Sequence, residues 1–134
     1  MGKIKFGLDT FGDAQLDDQG APISAAQTIR NLVEQGVLAD SVGINNINIG
    51  EHHRDDFAVS APDTVLAGIA TRTSKIGLGT GVTVLSSDDP VRVYERFATV
   101  DALSNGRAEI TAGRGSFIES FPLFGYDLSQ YEVL

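Results

Sequence analysis

At 134 residues, 42% of them hydrophobic and 21% charged, the chain is long enough to bury one ordinary core and has the composition of a globular protein. Its formal net charge of -8, with acidic residues scattered along the sequence, argues against nucleic acid and anionic membrane surfaces as partners. The absence of cysteine rules out disulfides and thiolate chemistry, and no apolar run approaches the roughly 20 residues that span a bilayer. After its lysines, Met1-Gly2-Lys3-Ile4-Lys5-Phe6 carries no long apolar segment, so no secretory signal is expected and the expected location is cytoplasmic.

Strand-like and helix-like segments then alternate. A first strand is expected over residues 3–9, with Ile4, Phe6 and Leu8 on one face and Asp9 at its end. Pro22-Ile23-Ser24 opens a helix, Ser24 capping it and Gln27 completing a capping-box pattern, with Ile29, Leu32, Val33 and Gly36 at helical spacing. A second strand is expected over residues 44–52. Ser60-Ala61-Pro62-Asp63 starts the next helix, whose apolar stripe is Val65, Leu66, Ile69 and Ala70. The third strand is expected over residues 75–85. Asp88-Asp89-Pro90 opens a third helix carrying Val93, Tyr94, Phe97 and Val100, which stops at Asn105-Gly106. A fourth strand is expected over residues 108–113. A loop with Phe117, Phe121 and Phe124 follows, and Asp127 caps a last helix from about Leu128, with no stop signal before Leu134.

This β-α-β order implies α/β architecture with a parallel sheet and right-handed crossovers. A doubly wound sheet and a TIM barrel both satisfy it. The dinucleotide fingerprint G-x-G-x-x-G after a strand is missing, because Gly77, Gly79 and Gly81 fall inside one. A complete barrel takes about 250 residues, so four βα units here would be half of one. The expectation from the residues is one domain over residues 1–134.

Chemistry gathers where strands end. Alternation along strand two sends Ile47 and Ile49 toward the helical layer and Asn48, Gly50 and His52 toward the barrel axis. His52 then stands at the C-terminal end of its strand, where barrel enzymes place their chemistry. There it is either a general acid or base or a hydrogen-bonded structural histidine. Glu51, His52 and His53 also invite a metal reading, and with it a metal-dependent hydrolase. However, adjacent strand residues face opposite ways and the H-E-x-x-H helix spacing is absent, so no metal is expected. Gly77, Gly79 and Gly81 share one face of strand three. Either a flat ligand approaches that face or neighbouring side chains fill it. Arg114, between two glycines, suits a phosphate or is a plain surface arginine. Asp9 is either a ligand contact or a turn residue. Phe117, Phe121, Phe124 and Tyr126 either line an apolar substrate pocket or pack a core.

In this order, Gly50-Glu51-His52-His53, Leu78-Gly79-Thr80-Gly81-Val82-Thr83-Val84-Leu85, Asp89-Pro90-Val91-Arg92, Asp101-Ala102-Leu103-Ser104-Asn105-Gly106-Arg107 and Ala112-Gly113-Arg114-Gly115 resemble the bacterial luciferase-like flavin monooxygenases. The stretch Gly115-Ser116-Phe117-Ile118-Glu119-Ser120-Phe121-Pro122-Leu123-Phe124-Gly125-Tyr126 looks like a subgroup of them described simply as oxidoreductases. The resemblance implies a partial TIM (β/α)8 barrel, residues 1–134 being its N-terminal half with the reading frame continuing past Leu134, and reduced FMN supplied by a partner reductase, or a deazaflavin in some relatives. It implies oxidation of a small organic substrate with oxygen. It also implies His52 as the active-site base, a cis peptide between Gly81 and Val82 beneath the flavin ring, Gly113 lining the ring and Arg114 near the flavin phosphate. Glycine stands at position 113 where luciferase carries a reactive cysteine, so light emission is not implied.

Two functional expectations follow. The first is an oxidoreductase, the chain being an N-terminal part of a flavin-dependent monooxygenase. The alternative is a non-catalytic flavin-binding or structural half-barrel. Its open strand edges would be covered by pairing with a second copy, giving a homo-oligomer.

Overall fold

The computed structural model describes residues 4–115 and 117–130. Three parallel strands, β1 (Gly7–Thr10), β2 (Asn46–Ile49) and β3 (Gly77–Thr80), lie side by side in that order. A short parallel pair, β4 (Thr83–Val84) with β5 (Ala112–Gly113), continues the arrangement, and a bridge from Leu78 to Ala108 ties it to β3.

The strands are shorter than expected, for reasons visible in their hydrogen bonds. The third strand path divides into β3 and β4 around Gly81–Val82, whose peptide bond is cis. The fourth keeps only its two ends in register. In the second, Gly50 N–H still donates to Thr10 O at 2.8 Å, but His52 N–H turns to Val59 O at 3.1 Å. Pairing thus passes from sheet to loop before His52, which lies just beyond β2. The first strand begins at Gly7 because Phe6 N–H is taken by the Asn45 side chain at 2.9 Å. Lys3 lies outside the described residues.

Helix α1 (Ala25–Val42) starts where Ser24 Oγ accepts from Gln27 N–H at 3.2 Å. The capping box is only half made. The Gln27 side chain donates to Asn31 at 2.8 Å and accepts from Arg30 instead of reaching back to Ser24. Helix α2 (Pro62–Ala70) has proline in its first turn and Asp63 beside it. Helix α3 (Pro90–Ser104) is capped by Asp89, whose carboxylate accepts from Val91 and Arg92 N–H, and it ends at Asn105 with φ 59°. The aromatic loop contains a short helix not expected from sequence, α4 (Ser120–Phe124). Asp127 then accepts from Ser129 N–H at 2.8 Å and starts a single 3-10 turn, Leu128–Gln130. The continuation toward Leu134 lies outside the described residues.

The three long helices cover one face of the sheet. Leu32, Leu66, Ile69 and Phe97 meet Ile47, Ile49, Ile76 and Leu78 in one core. Each fully buried aliphatic side chain there contributes about 1.5–3 kcal/mol. Val93, Phe97 and Val100 are buried as expected, but Tyr94 is 71% exposed. It follows Val93 by one position, about 100° round the helix, and so leaves the buried stripe. At the lower end of β3, Asp40 accepts from the N–H groups of Ser74, Lys75 and Ile76 at 3.3, 2.8 and 2.7 Å. Beside it, the Arg107 guanidinium donates to the carbonyls of Ser104, Ile76, Ala70 and Thr73 and to the Thr73 hydroxyl.

The lateral edges of this sheet are uncovered. Leu8 is in register with Ile47 and Leu78, which are buried, yet Leu8 is 42% exposed, with Phe6 at 63% and Ile110 at 48%.

Candidate active site

All the strands run parallel, so their C-terminal ends form one rim. Chain order brings Phe11 there after β1, Gly50 to His52 after β2, Gly81 and Val82 after β3, and Arg114 after β5.

The glycine face of the third strand path resolves into two parts. A Cβ on Gly77 would lie 3.1 Å from Glu109 Oε1 and 3.3 Å from Asn46 Cβ, and one on Gly79 would overlap Asn48 Oδ1. Neighbouring side chains therefore fill those positions. At Gly81 a Cβ would meet only ordinary contacts, Asn48 Cβ at 3.5 Å and Asp9 Oδ1 at 3.6 Å. Of the three glycines, only the last leaves space that no neighbouring side chain fills. Asp9 is not a turn residue: its Oδ1 accepts from Asn48 Nδ2 at 2.8 Å, across the sheet and 39 residues away.

His52 is buried in a box of rings. Phe57 stacks on it with centroids 4.1 Å apart and planes at 22°, while Phe11 and Phe117 stand edge-on at 5.0 and 4.8 Å. The box is held by loop pairing: Ala58 N–H donates to Gly12 O at 2.7 Å and Ala14 N–H to Asp56 O at 2.9 Å. Arg54 spans Asp56 with two hydrogen bonds and lies 5.3 Å from the Phe117 ring centroid. His52 Nδ1 lies 3.0 Å from Glu119 Oε1. Burial pushes the Glu119 carboxyl up, but the hydrogen bond to His52, its own backbone N–H and the charges of His52 and Arg54 outweigh it and hold it below its ordinary value.

A cavity of about 170 Å³ opens beside this ring, lined by Phe11, His52, Gly81, Val82, Val84 and Phe117 among others. Ligand pockets usually span about 300–1,000 Å³, so this hollow by itself is smaller than a typical site. Its lining is largely apolar, with Glu51 and His52 as its titratable side chains and no side chain at Gly81. An imidazole in that position can take or give a proton. Gly113 makes room for Val82, which lines the cavity: a Cβ at 113 would lie 2.9 Å from Val82 Cγ2. Arg114 is exposed at the same rim, its carbonyl accepting from Ser86 Oγ at 2.8 Å.

A larger hollow of about 330 Å³ adjoins the rim at the starts of α2 and α3 and shares Glu51 with the smaller cavity. Its charges satisfy one another: Arg96 pairs with Asp63 at 2.8 Å and with Asp88, and His53 Nε2 meets Glu51 Oε1 at 2.9 Å. The residues behind the metal reading are thus split, Glu51 with His53 and His52 with Glu119.

The aromatic cluster divides as well. Phe117 faces the cavity, Phe121 is fully buried as core, and Phe124 stands edge-on to His53 at 5.1 Å. Sequence reasoning missed Glu119, Phe11 and Phe57 here, while Asn48 stands on the inward face expected for it. Glu119 is 67 residues from His52, and no local spacing signals that pairing.

The alkanal monooxygenase alpha chain of the Kryptophanaron alfredi symbiont is 31% identical over 92% of this chain. The oxygenase component of the flavin-dependent trigonelline monooxygenase of Acinetobacter baylyi is 32% identical over 71% of it. The chain spans about a third of the length of such relatives, 35% and 28% respectively. Among solved structures, the oxygenating constituent of 3,6-diketocamphane monooxygenase from Pseudomonas putida, in complex with FMN, superposes with a TM-score of 0.82 at 23% identity. It covers 96% of this chain, which covers 35% of it. The coenzyme F420 dependent tetrahydromethanopterin reductase of Methanopyrus kandleri gives 0.65 at 24% identity, over 95% of this chain and 31% of its own. The fold is therefore α/β with parallel strands, matching part of the luciferase-like TIM barrels. Residues 9–132 match the luciferase-like monooxygenases, and the chain belongs to that family.

Proposed function

We propose that residues 1–134 form one domain, the N-terminal half of a flavin-dependent monooxygenase barrel, oxidising a small organic substrate with oxygen. The observation that carries this reading is the cavity in which His52 meets Gly81 and Val82 at the C-terminal rim. Gly81 and Val82 would lie under the cofactor ring, with Gly113 supporting Val82, Asp9 holding Asn48 beside Gly81, and Arg114 toward the phosphate. Reduced flavin, when bound, supplies the electrons that activate oxygen. The chain's own residues do the rest: Phe11, Val84 and Phe117 exclude water, and the His52 imidazole, which lines the cavity, takes or returns a proton.

FMN is the favoured cofactor because the similar Pseudomonas putida structure holds it. A deazaflavin is the alternative, given the similar F420-dependent reductase. The relative described as an oxygenase component supports a separate flavin reductase as partner. No described helix is long and apolar enough to cross a membrane, which is compatible with the cytoplasmic location proposed. The test is titration of FMN into the protein extended to the length of its relatives. Saturable binding, with oxygen consumption driven by NADH and a flavin reductase, is expected. Absence of both would remove the reading.

The uncovered edges at Phe6, Leu8 and Ile110 favour a second reading for the chain by itself, a half-barrel that pairs with another copy without catalysis. Sedimentation at micromolar concentration distinguishes it. A dimer is expected, and a folded monomer would contradict it.

A further inference from the structure

Glu119 immediately precedes α4, its side chain is 16% exposed, and it meets His52 from an element remote in sequence. The plain view of this contact is a tether holding the aromatic loop to the end of β2. The hydrogen-bond chemistry says more. An ionised carboxylate offers only acceptors, so the partner nitrogen must carry the proton. At 3.0 Å that nitrogen is Nδ1. The ring cannot turn over easily, because Phe57 stacks on one face and Phe11 and Phe117 close its edges. A flipped ring would present a C–H to Glu119 and lose the bond. The other nearby charged groups do not compete for Nδ1: Glu51 is taken by His53 and Arg54 by Asp56.

We infer that Glu119 is a positioning residue that fixes neutral His52 as the Nδ1–H tautomer and so turns the Nε2 lone pair toward the cavity. In that state His52 is ready to accept a proton there, and after accepting it the ring remains paired through Nδ1 with the carboxylate. The role rests on the proposed function only in that the cavity is where the reacting molecule sits. The tautomer itself does not depend on flavin or substrate.

The chain contains only two histidines, which makes the inference directly measurable. Two-bond proton–nitrogen correlation spectra of the nitrogen-15-labelled, flavin-free chain, recorded where both imidazoles are neutral, report which nitrogen of each ring is protonated. His52 is expected as Nδ1–H. In Glu119→Ala it is expected to revert to the Nε2–H form that dominates free imidazole side chains, with His53 unchanged. In Glu119→Gln the amide can accept from Nδ1–H or donate to a bare Nδ1, so the preference for Nδ1–H is expected to weaken to a mixture of the two tautomers. Wild-type His52 protonated at Nε2, or a tautomer unchanged by Glu119→Ala or by Glu119→Gln, would overturn the inference. If the alanine variant does not fold, the wild-type and glutamine spectra decide alone. A correct tautomer in a protein that never binds flavin would leave this inference standing and remove the proposed function.

Discussion

Val82 packs against the bare backbone of Gly113, where a Cβ would come within 2.9 Å of Val82 Cγ2. That pairing couples the end of β5 to the cavity wall. Gly113→Ala must push Val82 aside, and overpacking of this kind costs about 1–3 kcal/mol. Urea unfolding should show that loss, and FMN affinity of the extended protein should fall with it. A variant as stable as wild type would mean that Val82 moves freely and is not a fixed wall.

Gly79 and Gly81 make opposite predictions. Gly79→Ala collides with Asn48 and should destabilise by about 1–3 kcal/mol. Gly81→Ala meets only ordinary contacts within the protein, so its stability should stay within about 0.5 kcal/mol of wild type. If the cofactor ring lies over Gly81, the same methyl should weaken FMN binding at least several-fold. Unchanged affinity would place the ring elsewhere.

Arg107 holds five groups from three segments at the base of the sheet. Arg107→Met should lower unfolding stability by about 2–4 kcal/mol, since it strands partly buried carbonyls as well as losing charged hydrogen bonds. Arg107→Lys should recover little, because an ammonium cannot reproduce the planar fork. Full recovery by lysine would show that charge, not geometry, matters there.

Asp40 gives a pH dependence. Burial pushes its carboxyl up, but the N–H groups of Ile76, Lys75 and Ser74, with the Arg107 charge, outweigh that and hold it below its ordinary value. A carboxyl depressed on folding adds stability in full above the unfolded value of about 3.9 and loses it as pH falls through the lower folded value. The stability difference between wild type and Asp40→Asn should therefore be constant near neutrality and shrink in acid. A difference that grows on acidification would reverse the sign and contradict the assignment.

Much of this was legible in the sequence because it is local. Ser24, Asp89 and Asn105 mark helix ends by their own side-chain chemistry or backbone preference, and Ile47 and Ile49 announce their face by alternation. The rim position of His52 followed from counting along its strand. What stayed hidden depends on pairs distant in the chain. The Glu119 contact, the ring box of Phe11 and Phe57, and the filling of the Gly79 space by Asn48 appear only once loops meet. Tyr94 was misplaced because a tyrosine one step off an apolar stripe looks like part of it.

The Asp40–Arg107 clasp sits at the foot of β3, while the proposed chemistry sits at its head. Groups separated in this way and sharing no partners contribute to stability almost independently, within about 0.5 kcal/mol. Loops at the head can therefore be exchanged to suit new reactants while the foot preserves the register of the strands. An engineer seeking altered selectivity would vary the head loops outside the three rings that hold His52 and leave the lower anchor untouched.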